Sequence, residues 1–316
     1  MAGNSSAVSI RDHTQNLTLA CSRTSQLSLF PVSVGERKPS CHNRNQVPPA
    51  NHLRHLLEED PPKGRLDHAA LELAAIDTPG LEPEPWLDRL NELASQLGDR
   101  LRNFNDGRDF VETAQRYLFG ELGFHGNEDD FFDPRNSCLD QVLERRVGIP
   151  ITLSVMYMEI ARRLAMPVFG ISLPRHFVIQ FDDGNYSTYI DPFNGGRSIT
   201  AQECFALAGA KVADPALLRR ASKKEIAIRM LQNLRGVYLR RNDWARAVDT
   251  LDLLLVGVPG LSAWYKQRGL LELELKRFQA ARRDLEQYLA MEPDAADRPE
   301  ILKQMQAIHS WLARVN

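Results

Sequence analysis

The chain has 316 residues, 25% of them charged, with a formal net charge of −2 and an isoelectric point near 6.5. That length accommodates two domains with cores of their own, and the near-neutral balance lacks the concentrated basic face that nucleic-acid binding requires. No run approaches the ~18–20 apolar residues that span a bilayer, and the N-terminus has neither the basic start nor the apolar core of a secretory signal.

Residues 1–60 are rich in Ser, Thr, Asn, Gln and Pro, and their apolar stretches, such as Leu27–Phe30, are brief. A segment of this kind buries too little surface to offset its ordering entropy, so it is expected to be disordered. Helical periodicity starts near Leu66 and gives two amphipathic helices broken at Thr78-Pro79-Gly80. Asp109 to Leu118 reads as another helix, followed by a glycine-rich turn from Gly120 to Gly126. Asn136 or Ser137 is expected to cap a helix running to about Arg146.

Gly148-Ile149-Pro150 resets the chain, and proline suits the first position of a helix because its missing N–H would be unbonded there anyway. From Ile151 to Leu164 the apolar residues occupy more than one face, which predicts a central buried helix closed by Pro167. Val168–Leu173, Phe177–Phe181 and Tyr186–Ile190 read as strands. If Asp182–Asn185 form the loop between the last two, His176 lies directly opposite Asp191. If only Gly184-Asn185 turn, Asp191 becomes its diagonal neighbour on the same face, and either hairpin brings imidazole and carboxylate together. A carboxylate beside a histidine fixes its tautomer, as in triad chemistry, but it equally ties two strands together as a plain polar pair.

The C-terminal third is helix upon helix with an internal period of 34 residues: Trp244 with Phe278, Ala247 with Ala281, Leu251 with Leu285, Leu255 with Leu289, Pro259 with Pro293. That period, with a small residue at the helix crossing and proline after the second helix, resembles the tetratricopeptide repeat. Two repeats bury little alone, so a helix from Pro299 to Val315 is expected to cap them and the array to dock on the preceding domain. The division expected is 1–60 disordered, 61–218 mixed helix and strand, and 219–316 helical repeats.

Four cysteines, Cys21, Cys41, Cys138 and Cys204, lie far apart with no CxxC spacing, which argues against a zinc site or disulfide framework and favours the cytoplasm. Asp129, Asp130 and Asp133 could attract a cation, but exposed loop acids rarely do so, and no metal or cofactor is assigned. His125 sits in a polar turn and reads as a surface residue.

Leu118-Phe119, Gly123–Asn127, Asn136-Ser137, Arg146–Ser154, Pro174, His176-Phe177 and Ile190–Gly196 follow one another with gaps that resemble those of the bacterial SirB-type proteins. In these a transglutaminase-like domain precedes tetratricopeptide repeats, and the resemblance covers roughly residues 66 to 316. It implies an α+β, papain-like domain in which a buried helix points its N-terminus at a His–Asp pair on the sheet, here His176 and Asp191. In active transglutaminase-like enzymes a cysteine opens that helix, where the dipole favours the thiolate. Here that position is Pro150, which has no nucleophile. Arg175 stands where the family tends to have glycine, and a cation there, or at Arg197, could contact an anionic ligand, as could Asn136. Thr152, Ser154 and Cys138 remain as substitute nucleophiles, each with a plainer role as a helix hydrogen-bonder or buried packing residue. The leading expectation is a non-catalytic or catalytically altered module that binds a protein partner through its repeats. The alternative is a hydrolase or acyl transferase on protein amide bonds, with His176 as base and Asp191 as orienter.

Overall fold

A computed structural model describes residues 51–61 and 63–315, with side chains to residue 309. Residues 1–50, on which most of the expected disorder falls, lie outside the described residues, as do Cys21 and Cys41. The end of that segment departs from expectation. Asn51–Glu59 is a helix, α1, whose Leu53, Leu56 and Leu57 are buried. Its first N–H groups are met from outside: Glu72 accepts His52 N at 3.1 Å and Leu53 N at 2.7 Å, which is N-capping supplied across a helix pair.

Four helices and a short parallel pair then surround a central helix. α2 is Leu66–Ala74, α3 Glu84–Gly98 and α4 Gly107–Ala114, the last N-capped by the Asp106 carboxylate. A π-helical turn, Gln115–Glu121, follows it. β1 (His125–Gly126) pairs in parallel with β2 (Val147–Gly148). Between them lie a 3₁₀ turn, Pro134–Ser137, and α5, Leu139–Arg145. The cap of α5 is Cys138, with no side-chain hydrogen bond, rather than Asn136 or Ser137, because the 3₁₀ turn takes up those two residues. Arg146, in the left-handed region at φ 62°, ends the helix.

α6, Pro150–Arg163, is the central helix, with Pro150 at its first turn and eleven buried residues. One of them, Glu159, joins Arg162 and Arg163 around the fully buried Asp67 of α2. Burial pushes the Asp67 carboxyl up, but the guanidinium groups of Arg65 and Arg163 pull it further down, below the usual carboxylate range. The sheet is an antiparallel meander, β3 (Val168–Leu173), β4 (His176–Asp182), β5 (Ser187–Asp191) and β6 (Arg197–Ile199). Alternation divides its faces: Phe177, Ile179, Phe181 and Ile190 enter the main core with α6, while Leu173 and Val178 pack toward Cys204 of α7, Ala201–Leu207.

The segment leading to the helical repeats is tied to the sheet, with Ala221 N donating to Gly170 O at 2.8 Å. α8 (Lys223–Arg240) and α9 (Trp244–Gly257) form one hairpin, α10 (Ser262–Glu274) and α11 (Phe278–Met291) the next, and α12 (Arg298–Val315) follows. Ile226, Met230, Leu231 and Leu234 of α8 and Leu251 and Leu254 of α9 belong to the same buried cluster as α1, α2 and α6. Leu285, Leu289 and Ile308 form a separate small core under α12. The molecule is therefore an α+β domain whose main core extends through the first repeat to Trp264 and Leu271 of α10. No helix among the described residues is long and apolar enough to cross a membrane.

Candidate functional site

The β4–β5 register decides which residues meet. Ile179 pairs with Ile190 and Asp182 with Ser187, so the turn is Gly184-Asn185, and Gly184 adopts φ 88° as a tight hairpin turn requires. Asp191 is then the diagonal neighbour of His176 on one face, and His176 Nε2 lies 3.0 Å from Asp191 Oδ1.

Asp191 is fully buried and the turn after it wraps round its carboxylate. Oδ1 accepts the backbone N–H of Phe193 at 3.2 Å and of Asn194 at 3.4 Å, and Oδ2 accepts Asn194 Nδ2 at 2.6 Å. Burial raises the Asp191 carboxyl, but the hydrogen bonds from His176 and Asn194 outweigh it and hold the group below the usual carboxylate range. Phe193 and Asn194 lie in the Ile190–Gly196 stretch that carries the resemblance, but neither is a site candidate in the sequence. An Asp followed two and three residues later by open N–H groups is an Asx-turn signature, and it could have pointed to both.

The His176 ring has no hydrogen-bond partner except Asp191 among the described residues. Its ring meets Phe193 edge to face at 6.1 Å between centroids. The same Phe193 ring lies so close over Gly126 that a Cβ there would stand 2.4 Å from it. Phe193 thus touches both the histidine and the β1–β2 pair from which α6 starts. The pair shares its sheet face with Leu173 and Val178, against which Cys204 of α7 packs. Burial raises the Cys204 thiol to about 12, with the Asp191 charge adding to it.

None of the remaining sequence candidates makes a side-chain hydrogen bond to the His176 ring among the described residues. Ser154 donates its hydroxyl to the Pro150 carbonyl at 2.7 Å, the helix-bonding role open to it. Thr152 is fully buried, and its hydroxyl finds no hydrogen-bond partner among the described residues. Cys138 is fully buried with Sγ 3.4 Å from Pro134 O, and burial pushes its thiol well up, the opposite of an activated nucleophile. Asn136 is not a surface ligand contact: it is buried, its Nδ2 donates to Asp130 O at 2.8 Å, and its Oδ1 accepts Asn127 Nδ2 at 3.1 Å. Arg197 pairs with Glu203 at 3.0 Å beside the capping box of α7, rather than reaching into a cleft. Arg175 is exposed and holds φ 65° in the two-residue turn joining β3 to β4, a position that favours glycine. His125 is exposed, as expected.

Two surface features lie outside this set. A cavity of about 390 Å³ is lined by Asp77, Asp130, Asp133, Tyr238, Arg241 and Arg246, among others. Beside it, Phe131 and Phe132 are 41% and 45% exposed.

Residues 84–232 match the family model of the transglutaminase-like superfamily, and residues 234–306 match a tetratricopeptide repeat model. A UPF0162 protein of Xylella fastidiosa (strain 9a5c) is 42% identical over 191 residues, covering 58% of this chain and 68% of that protein. A UPF0162 protein of Pseudomonas aeruginosa is 32% identical over 249 residues, 77% of this chain and 89% of the relative. Human F-box only protein 21 is 34% identical over 161 residues, 47% of this chain and 26% of that protein. No solved structure matches the chain.

Proposed function

This chain belongs to the UPF0162 family, and on that footing we propose that it is a non-catalytic, SirB-type transglutaminase-like scaffold acting as a protein-interaction module. The observation that carries the reading is the missing nucleophile. Pro150 opens the central helix, and the His176 ring is hydrogen-bonded to Asp191 alone among the described residues. Ser154 is engaged with its own helix, while Cys138 is buried with its thiol pushed up. General-base catalysis needs a hydroxyl or thiol within about 3 Å of the ring nitrogen that would take its proton. In this reading His176 and Asp191 hold the turn after β5 in place. We place the start of the helical domain at residue 219, ahead of α8, although the transglutaminase-like match runs on to residue 232 within that helix.

The test is labelling of the full chain with broad cysteine- and serine-directed covalent probes, in wild type, His176→Ala and Cys138→Ser. No His176-dependent adduct is expected. An adduct on one residue that disappears in His176→Ala, with the variant still folded, would overturn the scaffold reading in favour of a hydrolase or acyl transferase.

A further inference from the structure

We propose that the protein binds a partner segment carrying a carboxylate beside a large apolar side chain, on the surface built from Phe131, Phe132, Arg240 and Arg241. The proposal rests on the interaction reading above and names its surface, which is the junction of the transglutaminase-like fold and the first repeat, not the repeat groove.

The aromatic half of this surface is continuous. Phe131 meets Phe132 at 5.5 Å and Phe193 at 6.2 Å between centroids, and Phe193 continues to His176. Phe131 and Phe132 leave 41% and 45% of their surface open, a small apolar face on the loop that a partner side chain can cover. The loop that presents them is held from beneath. Buried Asn136 donates to the carbonyls of Asp130 and Phe131, Asn127 Oδ1 accepts Asp130 N at 2.9 Å, and Asp133 N reaches Asp130 O at 3.2 Å. A preorganised loop loses little entropy on binding, so its exposed rings act at nearly full effect.

The charged half comes from the first repeat. The Arg240 guanidinium stacks over the Phe132 ring at 4.1 Å, and Arg241 lines the adjoining cavity. Both are exposed, and neither pairs with a carboxylate among the described residues. Their neighbours are engaged: Arg135 with Asp133 at 2.6 Å and Arg246 with Asp243 at 2.7 Å. Cations at a helix C-terminus also ease the helix dipole, but that role does not require Arg240 to cover an exposed ring. The acids lining the cavity beside Arg241 are Asp77, Asp130, Asp133 and Asp243, of which Asp133 and Asp243 are taken up by Arg135 and Arg246, so the partner's carboxylate belongs on Arg240 and Arg241, away from Asp130.

The repeats themselves offer less. Along α10, Lys266 is paired with Asp297 at 2.8 Å, and Arg268 is held by Asp252 and Asp284 at 2.7 Å each. A peptide seeking those cations would first have to displace internal carboxylates.

The test is selection of a phage-displayed library of random peptides of about 12 residues against the full chain, followed by fluorescence anisotropy of the enriched peptides. Enrichment of Asp or Glu next to Phe, Leu or Trp is expected. Arg241→Glu should weaken those peptides about tenfold, and the exposed double variant Phe131→Ser/Phe132→Ser by a similar factor, with melting temperatures unchanged in both. No enrichment, enrichment of Lys- or Arg-bearing peptides, or binding that survives both variants would overturn the surface. Binding that survives both variants leaves the interaction reading standing, whereas His176-dependent labelling removes that reading without touching the surface.

Discussion

Asp191 shows how one buried carboxylate organises its surroundings. It accepts from His176, from the backbone of Phe193 and Asn194, and from the Asn194 side chain, with no exposure to water. Asp191→Ala leaves those donors unmatched, at about 1–3 kcal/mol near neutral pH. Because the folded-state carboxyl is held below its usual range, its contribution is fully present above the unfolded value of ~3.9. It is lost as pH falls through the lowered folded value. Thermal melts of wild type and Asp191→Ala should therefore differ at pH 7, and the gap should narrow by pH 3. An equal gap at both pH values would show that the charge contributes nothing. Arg175 makes the converse point: a bulky residue at φ 65° two positions after β3 costs about 1 kcal/mol of backbone strain, directly before the histidine. A lone Arg between Pro174 and His176 gave no sign in the sequence of this left-handed conformation.

At the scale of elements, hairpin length places the pair. Strand parity alone predicted that an even turn would put His176 and Asp191 on one face, and the Gly184-Asn185 turn does so in the diagonal register. A double-mutant cycle isolates the pair: His176→Ala should cost about 1 kcal/mol, and in its background Asp191→Ala should cost less than it does in wild type, because the His176–Asp191 bond is already gone. Additive losses in denaturant melts of the four proteins would mean that Asp191 stabilises the fold without His176. The central helix and the strands were legible because buried periodicity and Pro or Gly boundaries coincide there. α1 was not, because nine residues with three leucines carry little signal beside a polar, proline-bearing stretch, and its N–H groups are met by Glu72 from another helix. The nucleophile candidates were legible as residue types only. Which hydroxyl is back-bonded and which thiol is buried depends on packing that no spacing encodes.

For the whole molecule, the decisive fact is where the main core ends. The two family matches meet between residues 232 and 234, inside α8 (Lys223–Arg240), so they divide a helix and not a linker. α1 ties the junction further: Leu57 packs on Gly257 of α9, and Asp60 Oδ1 caps α8 by accepting Lys224 N at 3.0 Å. Domains that share a core unfold together, whereas a satellite core can open locally. Leu231→Ala, in the shared core, should cost about 2–5 kcal/mol. It should lower hydrogen-exchange protection in α6 and α9 alike. Leu285→Ala, in the separate cluster under α12, should release α11 and α12 while leaving α6 protected. Loss of protection confined to α8 and α9 in Leu231→Ala would mean that the first repeat is an independent unit. The surface at Phe132 and Arg240 would then join two moving bodies. Loss shared with α6 makes it one rigid face, with its apolar and charged halves held in register.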